Sequence, residues 1–170
     1  WIMNASNIKP HVYMLNMMAA VWRDGKIDFE KVAKDYLAEY YGKDNVDAVF
    51  DLYEQYWKIA VPYGPNWDDH AGEQYFNHVP RMLTTAFLRD KDAPSEDLKW
   101  MYDGKTLKEQ IEHFQSLCKP AIARYEALAD KVELAAIAAE LRGEHDAAEL
   151  IRDSVGVMVG IYEHCVKASS

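Results

Sequence analysis

The chain has no long apolar run, no excess of positive charge and no metal-type cysteine pattern. Each absence removes a class of function. A bilayer-spanning helix needs about 18 to 20 consecutive apolar residues, so no membrane span is expected. Lys and Arg number 19 against 28 Asp and Glu, for a net charge of −9. Nucleic-acid backbones and anionic membrane surfaces call for a positive footprint, and neither is expected as a partner. Only two cysteines occur, Cys118 and Cys165, with no CxxC or Cys/His spacing. They read as two reduced, buried thiols. There is no Gly-rich phosphate loop, no G-x-S-x-G elbow and no HExxH, so no cofactor is expected. The chain does not open on a basic segment with a cleavage site, so it does not read as a signal peptide, and it does not begin with Met. That leaves a soluble chain whose compartment, secreted, periplasmic or cytoplasmic, is open.

What is present is ordinary globular material: 49% apolar residues, with eleven Tyr and five Trp. Most aromatics fill cores, although aromatic rings also line sugar-binding surfaces. The pattern is helix after helix. Residues 11–24 place Tyr13, Met14, Met17, Met18, Val21 and Trp22 at helical spacing before Gly25. Asp28 caps a second helix running to Gly42, and Asp44 or Asn45 starts a third that Pro62 ends. A turn-rich loop, Pro62 to Gly72, leads into a helix from Glu73 to about Lys91. A short helix is expected from Ser95 to about Tyr102. Thr106-x-x-Glu109 is a capping box, opening a helix from Leu107 through Leu128. From Asp130 to Ala168 the chain is helical, with its corner at Gly143, and Gly156 and Gly160 form a small-xxx-small pair suited to close helix packing. The expected fold is all-α: a multi-helix bundle of about six to eight helices with kinks near Pro80 and Pro120. Residues 11–170 form the helical domain.

Residues 1–10 differ. Trp1-Ile2-Met3 runs into Asn4-Ala5-Ser6-Asn7, then Ile8-Lys9-Pro10. An apolar triplet opening into a polar turn is the pattern of a buried strand ending in a loop. No later segment supplies a sheet, so the chain is expected to be a piece of something larger. Asn4, Ser6, Asn7, Lys9 and His11 offer amide, hydroxyl, ammonium and imidazole groups suited to a hydroxyl- or carboxylate-rich ligand. An ordinary turn with Lys9 in solvent accounts for the same residues.

The densest polar-aromatic set lies from Trp67 to Arg81: Trp67, Asp68, Asp69, His70, Glu73, Gln74, Tyr75, His78 and Arg81. Asp69 is placed to cap the following helix, with Glu73 in its first turn. A carboxylate pair for acid/base work, or a metal site on His70, Glu73 and Asp68 or His78, would need the same residues; the metal signature is short and incomplete. A loop that contacts a substrate bound mostly elsewhere fits Trp67, Asp69 and His70.

Trp1, Ile2, Asn4, Ile8, Lys9 and Pro10 give the opening segment a family likeness. It resembles the stretch of glycoside hydrolase family 115, the xylan α-glucuronidases, that reads approximately Trp-Ile-Val-Asn-Val-Gly-Asp-Ile-Lys-Pro; a neighbouring glycosidase group is an equal candidate, since Ser6-Asn7 stands where the family has Gly-Asp. The resemblance implies that residues 1–10 end the last strand of a (β/α)8 barrel and that the helices follow it. It implies a carbohydrate substrate, release of glucuronic acid side chains from xylan with inversion, and two carboxyls roughly 6.5–9.5 Å apart that would lie upstream of Trp1. Asn4 and Lys9 would be substrate-positioning groups at the barrel's active-site end. The helices would support the missing barrel domain, close part of the cleft through the Trp67–His78 region, and could make a homodimer contact. The rival is a stand-alone helical interaction or scaffold domain with no active site.

Overall fold

Local start and stop signals set most of the helix ends. The computed structural model describes residues 11–170, so Asn4 and Lys9 lie outside the described residues. The Asp28 carboxylate accepts the Lys31 N–H at 3.2 Å and opens α2, Phe29–Tyr41, which follows α1, Val12–Asp24. A 3-10 turn over Lys43–Asn45 feeds α3, Val46–Ile59. Then come α4, Glu73–Arg89, and a 3-10 turn at Glu96–Leu98 where a short helix was expected. The capping box opens α5, Leu107–Leu141: the Thr106 hydroxyl accepts the Glu109 N–H at 3.2 Å, while the Glu109 carboxylate accepts the Lys105 N–H at 2.7 Å. At the far end Gly143, at φ +82°, closes α5. Its N–H bonds the Glu140 carbonyl and the Glu144 N–H reaches back to Ala139, the paired closure that favours glycine.

The last rod is α6, His145–Ile151, a π segment Arg152–Gly156, and α7, Val157–Ala168, without a break. Within the widened turn the Ser154 hydroxyl donates to the Leu150 carbonyl, and Tyr41 Oη lies 2.6 Å from Ser154 Oγ. The serine proton is already used, so Tyr41 donates to Ser154 and in turn accepts from Tyr53, 3.2 Å away. Of the two glycines expected to allow close packing, a Cβ on Gly156 would touch Val132 at 3.4 Å, whereas Gly160 faces open space. Neither Pro80 nor Pro120 interrupts its helix.

No strand occurs among the described residues, and the architecture is all-α. The chain divides into two compact units. One takes the described part of Trp1–Trp57 with Ala127–Gly160; the other takes Lys58–Glu126 with Ile161–Ser170. In the first, α1 and α6 pack on α2, with Met17, Leu37, Val49, Ile151 and Val155 buried. α1 is apolar on two sides, so the expected inward set splits: Tyr13 and Met17 are buried, while Met14, Met18 and Trp22 are exposed. A polar clasp ties the α2–α3 junction to the α5–α6 corner. Asn45, almost fully buried, donates to the Tyr41 carbonyl and to Glu144, both at 2.8 Å, and accepts from Arg142 at 2.5 Å. Hydrogen bonds from Arg142 and Asn45 hold the Glu144 carboxyl below its ordinary range.

In the second unit the buried set is Val61, Tyr75, Val79, Leu98, Phe114 and Tyr125, among others. Gln110 sits among them, fully buried. Its Oε1 accepts the Ser95 N–H at 2.7 Å, and its Nε2 donates to the carbonyls of Ser95 at 3.0 Å and Tyr102 at 3.2 Å. One side chain thus takes the place of a strand partner for the irregular segment between α4 and α5. Among the described residues no helix is long and apolar enough to cross a membrane.

Candidate functional site

The loop from Val61 to Gly72 is turn-rich in sequence and tightly bonded in the structure. The Ala71 N–H reaches the Val61 carbonyl at 2.8 Å and the Tyr63 N–H reaches Asp69 at 2.9 Å, so Pro62 and His70 face each other as an antiparallel bridge. These bonds pinch the loop at its base. Its tip is braced by Asp69, whose Oδ2 accepts both the backbone N–H and the side-chain amide of Asn66 at 2.8 Å. Gly64 lies so near this carboxylate that any Cβ there would overlap it. Asp69 therefore ties the loop to itself and does not cap α4, whose N-cap is Gly72 with no side-chain bond. The reason is reach: the Asn66 donors lie within the same closed turn.

Trp67 is displayed at this tip, 92% exposed. His70 Nδ1 lies 3.0 Å from the Trp67 carbonyl. A carbonyl can only accept, so Nδ1 carries the proton in this bond. Trp67, Asp69 and His70 are thus brought together in one turn, with Asp68 exposed beside them. Further along, His78 Nδ1 stands 3.4 Å from the Arg81 guanidinium on α4, and Tyr75 is buried. Among the described residues, no three His, Cys, Asp or Glu side chains converge as metal ligands.

Beneath the loop is an aromatic base. Tyr63 stacks on Tyr75 at 5.0 Å and 12°, and Trp100 meets Tyr63 edge-on at 5.5 Å and 85°. Tyr75 donates its hydroxyl to the Met101 sulfur at 3.4 Å, and burial pushes its phenol well above the ordinary range. Trp100 remains 54% exposed. Nearby, His113 stacks on Tyr102 at 4.3 Å, and desolvation lowers its imidazole. Sequence reasoning singled out neither Tyr63 nor Trp100. The available signal was a tryptophan at the end of a short segment, just before the Asp103-Gly104 turn.

Fold and site together define an all-α multi-helix protein with a braced, aromatic-tipped loop. No protein-family model, curated protein or solved structure matches the chain.

Proposed function

We propose that this chain is the non-catalytic helical portion of a carbohydrate-active glycoside hydrolase. It supports a catalytic barrel carried elsewhere in the parent protein and lends a sugar contact through the Trp67 loop. The parent reaction is the release of glucuronic acid side chains from xylan. The observation that carries this reading is Trp67 itself: an indole 92% exposed on a loop fixed by its own hydrogen bonds. A rigid, uncovered aromatic face suits the C–H face of a sugar ring, and the neighbouring polar groups suit its hydroxyls. His70 Nε2 would hydrogen-bond one such hydroxyl. The family likeness of Trp1 to Pro10 supports the same class and gives Asn4 and Lys9 the positioning roles. The test is titration of the full chain with xylo-oligosaccharides, following Trp67 by fluorescence and by its indole N–H resonance. Trp67→Ala is expected to weaken binding roughly five- to tenfold with an unchanged circular dichroism spectrum. Equal affinity in wild type and variant refutes the reading.

A second reading, a helical interaction domain without an active site, is favoured by one feature. Leu134, Ile137 and Leu141 of α5 are 65%, 38% and 85% exposed at spacings of three and four, an apolar stripe facing outward. A partner that binds the chain in a manner broken by Leu134→Asp and untouched by Trp67→Ala would favour it.

A further inference from the structure

We infer that the sugar contact continues from Trp67 to a second platform on Trp100, so that this unit takes an extended polysaccharide segment and not a single sugar. The inference rests on the reading of Trp67 as a carbohydrate contact. Three observations carry it. First, the loop that carries Trp67 is rooted in the aromatic base that holds Trp100. Trp100 packs against Tyr63, and Tyr63 anchors the Trp67 loop through its N–H to Asp69. Trp67 is four residues from Tyr63, within about 14 Å even for fully extended chain. Second, Trp100 is more than half exposed, and neither Tyr63 nor Tyr75, at 85° and 76° to it, stacks parallel on the indole. Third, Trp67 stands in the open and not in a pocket. One sugar on one open ring gains little, and useful affinity comes from several linked contacts along one ligand.

The surroundings select a carbohydrate. The core of a protein interface is depleted of charge, yet Asp68 flanks Trp67 while Lys99 and Asp103 flank Trp100, all exposed. A lipid surface calls for Lys and Arg beside the aromatic residues, whereas this chain carries a net charge of −9. Charged groups beside flat rings suit the hydroxyls of a polysaccharide.

The test titrates the full chain with linear xylo-oligosaccharides from the disaccharide to the hexasaccharide by calorimetry. Wild-type affinity is expected to rise with length. Trp67→Ala is expected to weaken binding at every length. Trp100→Ala is expected to leave the shortest ligands unaffected and to weaken the longest roughly five- to tenfold, removing the length dependence. Trp100→Phe keeps a smaller ring on Tyr63 and is expected to fall between, which guards against a folding defect in the alanine variant. A wild-type affinity that is flat with length, or a Trp100→Ala profile identical to wild type, overturns the second platform while leaving Trp67 in place. Wild-type protein that binds no xylo-oligosaccharide overturns the Trp67 reading, and this inference with it.

Discussion

Replacing Gln110 with leucine keeps the volume of a fully buried side chain and deletes every hydrogen bond it makes. Three backbone groups lose a bond: the Ser95 N–H and the Tyr102 carbonyl lose their Gln110 partner, and the Ser95 carbonyl keeps the Leu98 N–H. Ser95 is itself buried, so water cannot replace the amide without opening the segment. Each buried polar group left unpaired costs roughly 1–3 kcal/mol, and carbonyls tolerate the loss better than an N–H. About 3 kcal/mol is therefore expected for the leucine variant, which raises the open population about a hundredfold. Native-state hydrogen exchange reads this directly: the Ser95 amide, buried and bonded to Gln110 in wild type, should exchange about a hundredfold faster in Gln110→Leu. Gln110→Glu supplies a sign test. Its carboxylate can still accept from the Ser95 N–H but turns an acceptor towards two carbonyls. Burial and those carbonyls raise its folded-state pKa above the unfolded value of about 4.3. A raised folded pKa gives a stability contribution that is present at low pH and lost as pH rises through it. The glutamate variant should therefore approach wild type as the pH is lowered from neutral, measured as the difference between the two proteins at each pH. A leucine variant within about 0.5 kcal/mol of wild type, or a glutamate variant with no pH dependence of that difference, would refute the view that Gln110 acts as a surrogate strand partner.

Asn45→Ala strips the clasp of its central amide and leaves the Tyr41 carbonyl and Arg142 without it. Urea denaturation should show a loss of about 2 kcal/mol; a change under about 0.5 kcal/mol argues that the clasp is incidental. Burial pushes the Cys118 thiol up to about 12, so at neutral pH it is protonated and unreactive. Thiol-reagent labelling followed by mass spectrometry should leave Cys118 unmodified in native protein and modify it in urea; rapid native labelling at Cys118 would contradict its burial.

Much of the fold was legible because its signals are local. Asp28 with Lys31, Thr106 with Glu109 and Gly143 with Glu140 act over three residues, and sequence exposes them fully. The loop from Pro62 to Gly72 was equally plain in its turn formers. What stayed hidden was longer in range. Asn45 finds its side-chain partners 97 and 99 residues away, and no spacing rule points there. Gln110 lies on the buried face of α5, but a periodicity count that scores apolar residues passes over it. The same count overstates the core: Phe29, Phe87 and Leu88 fit the helical stripes yet lie exposed, since a stripe is buried only where a neighbour covers it. The continuity of α5 was missed too. Leu128 and Asp130 carry no stop signal, and without one the helix simply runs on to Leu141.

Within the candidate site the three loop residues divide the work in a way that spacing could not show. Asp69 looked like a group for a ligand or a cap, yet the bonds it makes are to Asn66 inside its own turn. Its contribution to the proposed sugar contact is therefore entropic. Fixing one backbone residue costs roughly 1–2 kcal/mol, and a loop that had to order on binding would subtract that from affinity for each residue ordered. The Asp69–Asn66 bonds and the Pro62–His70 bridge place that cost in folding, before any ligand arrives. Only then can a weak contact such as one sugar ring on one indole be expressed as affinity. This also explains why glycine stands at position 64: the brace needs the space a side chain would take, and a loop without it would present Trp67 on a moving tip.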